Sequence, residues 1–186
     1  MPFTFVSGNL ALDFAGTLQY RDTAPRDLLS SAGLLREWWA TAGLVDPPPE
    51  VSEAEFARAL AVREAVYRLA LAAAADGERS QADIDLLNEA AAAAPVTPLL
   101  TRDGVRRTGP AEAVTASIAR DAVGLLGGPD AVRIRECEDP PCTRLFIDTS
   151  RAGSRRWCDM SGCGNRAKAA GFRARRTAAR PGRDSG

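Results

Sequence analysis

Four cysteines, Cys137, Cys142, Cys158 and Cys163, stand in the last third of a 186-residue chain that contains no histidine. Their spacing is C-x4-C, fifteen residues, C-x4-C. Two short cysteine loops carried by separate segments can close a tetrahedron of thiolates around Zn2+ and leave no position for water or substrate, which is the chemistry of a structural site. The stretch around the cysteines is too short to build a core of its own, so metal binding is expected to supply much of its folding free energy. Two disulfides or four ordinary thiols are the alternatives. The start at Met1 lacks a basic, apolar leader, so a reducing cytoplasmic setting is expected, and this favours the metal.

Zinc with four thiolates carries a formal charge of minus two. Arg144, Arg155, Arg156 and Arg166 each lie within two or three residues of a cysteine, where they can offset it. Asn165 and Arg166 follow Cys163 so closely that both are expected to serve the site. Asn165 would cap a helix start or orient a thiolate, and Arg155 and Arg156 would act just outside the ligands. From Asn165 to about Ala179 the composition is helical and basic, with Arg166, Lys168, Arg173, Arg175 and Arg176. Such a helix is about 22 Å long and fits a major groove about 12 Å wide. Lys168, Arg173, Arg175 and Arg176 are therefore the candidate nucleic-acid contacts. Trp157 and Phe146 are expected to pack beneath the metal, with base stacking as the alternative.

The segments before the cysteines must position them. Val132 to Arg135 reads as a strand leading into Cys137, and Leu145 to Ile147 with Arg155 to Trp157 reads as a hairpin turned at residues 151–154. Residues 3–6 read as a strand and a helix is expected from about Leu10. Periodicity predicts a helix over Asp27 to Ala42, bearing Trp38 and Trp39 as core or dimer contacts. The run Ser52-Glu-Ala-Glu55 has capping-box form and opens a long helix to about Ala75, with Phe56, Leu60, Tyr67 and Leu71 as its core stripe. Ser80 starts another helix, Asp103-Gly104 turns a hairpin, and Ala111 to Leu126 is the last body helix. The expected fold is mainly α, a helical N-terminal domain with a short strand hairpin, plus a small four-cysteine module made of a β-hairpin and a basic helix. Gly127-Gly128-Pro129 marks the expected boundary, giving domains 1–130 and 131–180 and a disordered tail 181–186, although a turn within one folded unit would read alike.

The net charge of zero hides a division. Residues 1–130 hold 11 basic and 18 acidic side chains, residues 131–186 hold 13 and 6. A basic end on an acidic body points to a polyanionic partner for the end. No apolar run approaches the roughly 20 residues a membrane span needs.

The residues Leu145-Phe-Ile-Asp-Thr-Ser150, Arg155-Arg-Trp-Cys158 with Met160, and Cys163-Gly-Asn-Arg166 with Lys168 resemble the CGNR zinc finger of bacterial proteins, over about residues 133–176. Leu10-Ala-Leu-Asp-Phe14 resembles the opening of its usual partner, the ABATE domain, over roughly residues 5–130. That family commonly reads Asp-Phe-x-Asn-Thr where this chain has Asp13-Phe14-Ala15-Gly16-Thr17. The resemblance implies a stress-induced transcription regulator that binds DNA through its zinc module.

Two other classes stay in view: a zinc-stapled module for RNA or an acidic protein, and an enzyme in the helical body. Without histidine, catalysis would fall to carboxylates, thiols or the two tyrosines, and no acid pair has telling spacing, so no enzymatic activity is expected. The body is expected to sense a small molecule or to pair subunits in a homodimer. Asp13, a carboxylate inside an apolar run, is the candidate ligand-binding residue, with helix capping or a salt bridge as its other reading.

Overall fold

The computed structural model describes residues 3–178. The chain is mainly α, with six helices and three two-stranded ribbons among the described residues. The first helix, α1 (Leu10–Ala15), is one short apolar segment capped by the Asn9 side chain, and five of its six residues are buried. A helix this short cannot hold itself, so it depends on packing against its neighbours. A small ribbon, β1 (Leu18–Gln19) with β2 (Arg26–Asp27), precedes α2 (Ala32–Thr41). The helix does not start at Asp27 as the periodicity predicts: Asp27 accepts the Leu29 amide and the Arg63 guanidinium, and Ser31 is the N-cap. Residues 3–6, read as a strand, pair in no ladder.

The long helix α3 (Glu53–Ala74) opens on the expected capping box, with Ser52 and Glu55 satisfying each other's backbone amides. Asp76, at a left-handed φ of 52°, lies just beyond its end. α4 (Gln81–Ala92) follows Ser80, then the ribbon β3 (Thr97–Thr101) and β4 (Gly104–Thr108), then α5 (Ala111–Gly127). α3, α4 and α5 pack on one another, and α1 is wedged against α3 and α5. The expected stripe of α3 needs correction. Phe56, Leu60, Tyr67 and Leu71 flank the core, whereas Ala59, Val62, Ala65, Val66, Leu69 and Ala70 are buried in it. Small side chains let neighbouring backbones approach, so the alanine face becomes the seam and the larger residues cover its rim. Trp38 and Trp39 are core residues.

A 3-10 turn over Pro129–Arg133 leads into β5 (Ile134–Glu136), which pairs antiparallel with β6 (Leu145–Ile147). The partner of β6 is therefore β5 and not residues 155–157. The amides that could have continued a ladder are taken locally. Asp148 accepts from Ser150 and Arg155 at 2.8 and 3.0 Å, closing residues 148–155 into a side-chain-held loop. A π-turn, Met160–Gly164, runs into α6 (Asn165–Ala178).

The ribbon of β5 and β6 has two buried faces. Ile134, Leu145 and Ile147 belong to the core of the helical body, while Phe146 joins Cys137, Cys158 and Cys163 in a second small cluster. Alternation along a strand sends neighbouring side chains to opposite faces, so β6 bonds the body to the cysteine module through one strand. Residues on both sides of 127–129 thus share one apolar core. The expected tail at 181–186 lies outside the described residues.

Candidate metal centre and basic helix

Each knuckle is built by a specific local device. In the first, Cys137 follows β5 and its amide donates to the Arg144 carbonyl at 3.0 Å, while the Cys142 amide closes a turn on the Asp139 carbonyl at 2.7 Å. In the second, the Asp159 carboxylate accepts the amides of Ser161 and Gly162 at 3.1 and 2.9 Å, which curls residues 160–164 beneath Cys163. The two are stitched by the Glu138 amide to the Arg156 carbonyl, 2.9 Å, and by the Cys158 amide to the Cys137 Sγ, 3.4 Å.

The four sulfurs lie within 4.8 Å of one another, with Cys142 to Cys158 at 3.8 Å and Cys158 to Cys163 at 3.5 Å. A zinc ion about 2.3 Å from each sulfur of a tetrahedron requires sulfurs roughly 3.8 Å apart, so this donor set fits the ion. Proton chemistry agrees. Hydrogen bonds from Cys142 and Cys158 pull the Cys137 thiol down, while Cys142 and Cys158 are pushed up chiefly by Cys137, and Cys163 by burial and then the Cys142 charge. Four thiolates this close ionise together only around a cation.

Arg166 is the arginine that reaches a ligand. Its Nη2 donates to the Cys163 Sγ at 2.9 Å, and its Nε donates to the buried Asp139 at 2.8 Å. Asn165 turns away from the thiolates, with its side-chain amide donating to the Ser161 carbonyl at 3.0 Å, so it fixes the helix start. Arg155 stacks over Phe146, 4.4 Å to the ring centre, and donates to the carbonyls of Trp157, Cys158 and Val6. Arg156 pairs with Glu138 at 2.6 Å and lies over Trp157. Phe146 is fully buried, which leaves it no face for a base.

α6 rises from this turn and packs chiefly on it. Lys168, Arg173 and Arg175 are exposed, and so are Ala169 and Phe172. The side chain of Arg176 lies outside the described set. Residues seven apart share a face at 3.6 residues per turn, so Lys168 lines up with Arg175, and Arg166 with Arg173 on roughly the opposite side.

Two matches accompany this geometry. Residues 133–176 match the CGNR zinc finger, and residues 8–129 match ABATE, described as "Putative stress-induced transcription regulator". The chain belongs to the ABATE family. No curated protein matches it. The ABATE segment and the CGNR finger meet at a polar seam whose centre is Arg144. This buried guanidinium donates to the Thr4 carbonyl at 3.2 Å, the Thr4 hydroxyl at 3.0 Å and the Gly16 carbonyl at 3.3 Å. Asp13 lies on the same seam. Its Oδ1 accepts the amides of Val6 and Ser7, both at 3.0 Å, and is 3.6 Å from Arg144. Burial raises its pKa against the pull of these partners.

Beside the seam opens a cleft of about 220 Å³, lined by Thr4, Leu18, Tyr20, Thr143, Arg144 and Arg166 among others. Asp13 is not among the lining residues. Sequence reasoning missed Asp139, Asp148 and Asp159. Asp148 and Asp159 each left a local trace, since an aspartate two residues before Ser150 or Ser161 is a turn signal, whereas Asp139 left none. No helix of the described residues is long and apolar enough to cross a membrane.

Proposed function

We propose that this chain is a non-catalytic DNA-binding regulator, in which zinc holds the CGNR knuckles together and α6 lies against duplex DNA. The observation that carries the reading is a basic helix rooted on the metal turn, packed chiefly on that turn, with Lys168, Arg173 and Arg175 exposed on its flanks. Cys137, Cys142, Cys158 and Cys163 would hold the zinc, which when bound would supply two positive charges to offset four thiolates and would cross-link the two knuckles. The chain's own residues do the rest. Arg166 and Asp139 fix the root of α6 to the first knuckle, Asn165 fixes its first turn, and the cations beyond them meet phosphates. Arginines in this number give affinity before specificity, because neutralising phosphates and releasing counterions needs no base reading.

The body's role in this reading is to modulate the finger. An effector in the cleft beside Arg144 would touch the body and both knuckles at once, which supports that cleft as the site for a small ligand in this reading. The test of the function is anisotropy of a labelled mixed-sequence duplex titrated with zinc-loaded full-length protein at two salt concentrations. Binding that weakens steeply with salt supports it. A preference for single strands or structured RNA would turn the reading to RNA, and no binding to either at low salt would refute it.

A further inference from the structure

Away from the metal, a second basic element stands on the acidic body. The ribbon of β3 and β4 projects with nine of its ten strand residues exposed and only Thr108 half-buried. Leu100, 89 % exposed, faces Val105, 56 % exposed, across the strands. Three arginines, Arg102, Arg106 and Arg107, lie on or at the turn of this ribbon. Their guanidiniums make no hydrogen bond or ion pair among the described residues. Of the other eight arginines in residues 1–130, Arg21, Arg36, Arg58, Arg63 and Arg68 are each paired with a carboxylate, Arg79 and Arg120 donate to backbone carbonyls, and Arg26 alone is likewise without a guanidinium partner among the described residues. Apart from these three arginines and Asp103, residues 1–130 hold eight arginines against seventeen carboxylates. The ribbon is an island of positive charge on a negative surface, with its cations uncommitted.

We propose that the β3–β4 ribbon is a second contact for duplex nucleic acid, supplementing α6; this rests on the DNA-binding reading above. A two-stranded ribbon fits a major groove about 12 Å wide. Cross-strand pairing places Leu99 with Arg106 on one face, beside Thr97, Thr101 and Thr108, and Leu100 with Val105 and Arg107 on the other. Each face therefore offers a cation for phosphate, with hydroxyls or an apolar surface next to it. The base of the ribbon is fixed: the Asp46 amide donates to the Arg107 carbonyl at 2.9 Å, and the Val96 amide to the Ser117 hydroxyl at 3.1 Å. The ribbon joins α5 at Ala111 and the finger leaves it near Gly127. A helix of 17 residues is about 25 Å long, so the root of the ribbon and the start of the finger stand at opposite ends of α5.

A second copy of the chain fits the ribbon poorly. Pairing β4 with its own copy would bring arginines opposite arginines, and like charges directly across strands repel. Ten strand residues are also well short of the roughly 20–30 a side of a stable interface.

The test compares zinc-loaded full-length protein with R102A/R106A/R107A by duplex anisotropy over a salt series, with light scattering of both. Each lost phosphate contact lowers the slope of log affinity against log salt by about one, so the slope is expected to fall by roughly two to three and low-salt affinity by roughly tenfold or more. Unchanged affinity and slope in the variant, with the parent still binding, would overturn the ribbon contact and leave the α6 reading standing. A parent that binds no duplex would overturn both. A parent dimer that becomes monomeric in the variant would overturn the ribbon contact in favour of self-association.

Discussion

Gly16 and Arg144 share one space: a Cβ on residue 16 would lie 2.9 Å from the Arg144 Nη1 and 3.1 Å from its Cζ. The family motif carries asparagine at this position. Here its absence leaves room for a guanidinium from the zinc finger to enter the body and bond Thr4 and Gly16. The two parts are locked by an arginine placed 128 residues from the glycine that admits it.

Gly16→Ala is expected to destabilise the protein by about 1–2 kcal/mol, through displacement of Arg144 and not through backbone strain, because φ of −72° at residue 16 suits alanine. In an R144A background the same change should be neutral or stabilising by up to about 1 kcal/mol, since alanine also restricts the unfolded chain. Urea unfolding of the four proteins measures the cycle. An equal cost in both backgrounds would show that the two residues do not compete.

Arg144→Ala removes the cation facing a buried carboxylate and should cost on the order of 3 kcal/mol at neutral pH. Burial raises the folded pKa of Asp13 above its ordinary value, and Arg144 is one of the groups opposing the rise. For a raised carboxylate, the folded state favours the protonated form, so the stability penalty of the charge is fully felt above the folded pKa and fades as pH falls through it. Without Arg144 that pKa rises further, and the gap between variant and parent should narrow as pH falls from neutral through the raised pKa of the variant. A gap independent of pH would disconnect Asp13 from Arg144.

Zinc removal should destabilise the whole chain and not the finger alone. The reason lies in β6, where Phe146 sits under the cysteines and Leu145 and Ile147 sit in the body core. Chelation, or Cys158→Ser, is expected to lower the melting temperature by roughly 10 °C or more, with one zinc released per chain. A body that melts unchanged after chelation would show that the shared strand transmits nothing.

The elements carried by short-range signals were legible in the sequence: the Ser52–Glu55 box that starts α3, the Ser80 cap of α4, the Asp103-Gly104 turn and the paired cysteines. Each depends on residues a few positions apart. The misreadings share the opposite property. The partner of β6 is decided by Asp148 taking the amides of Ser150 and Arg155, and the buried stripe of α3 by which face, with Ala59, Val62, Val66, Leu69 and Ala70, meets its helix neighbours. The joining of finger to body depends on Arg144 and Arg155 reaching carbonyls more than a hundred residues away. Polar contacts of that span leave no periodicity to read.

The proposal places function on the outer faces of α6, and a substitution there isolates it better than deleting residues 131–186, which would strip Ile134, Leu145 and Ile147 from the core. The deciding measurement is duplex binding by K168A/R173A/R175A, with zinc content and melting temperature recorded alongside. The account predicts full zinc occupancy, a melting temperature close to the parent's, and duplex affinity that falls with a salt slope lower by roughly two to three. A folded, zinc-loaded variant that binds duplex as tightly and as salt-dependently as the parent would contradict it.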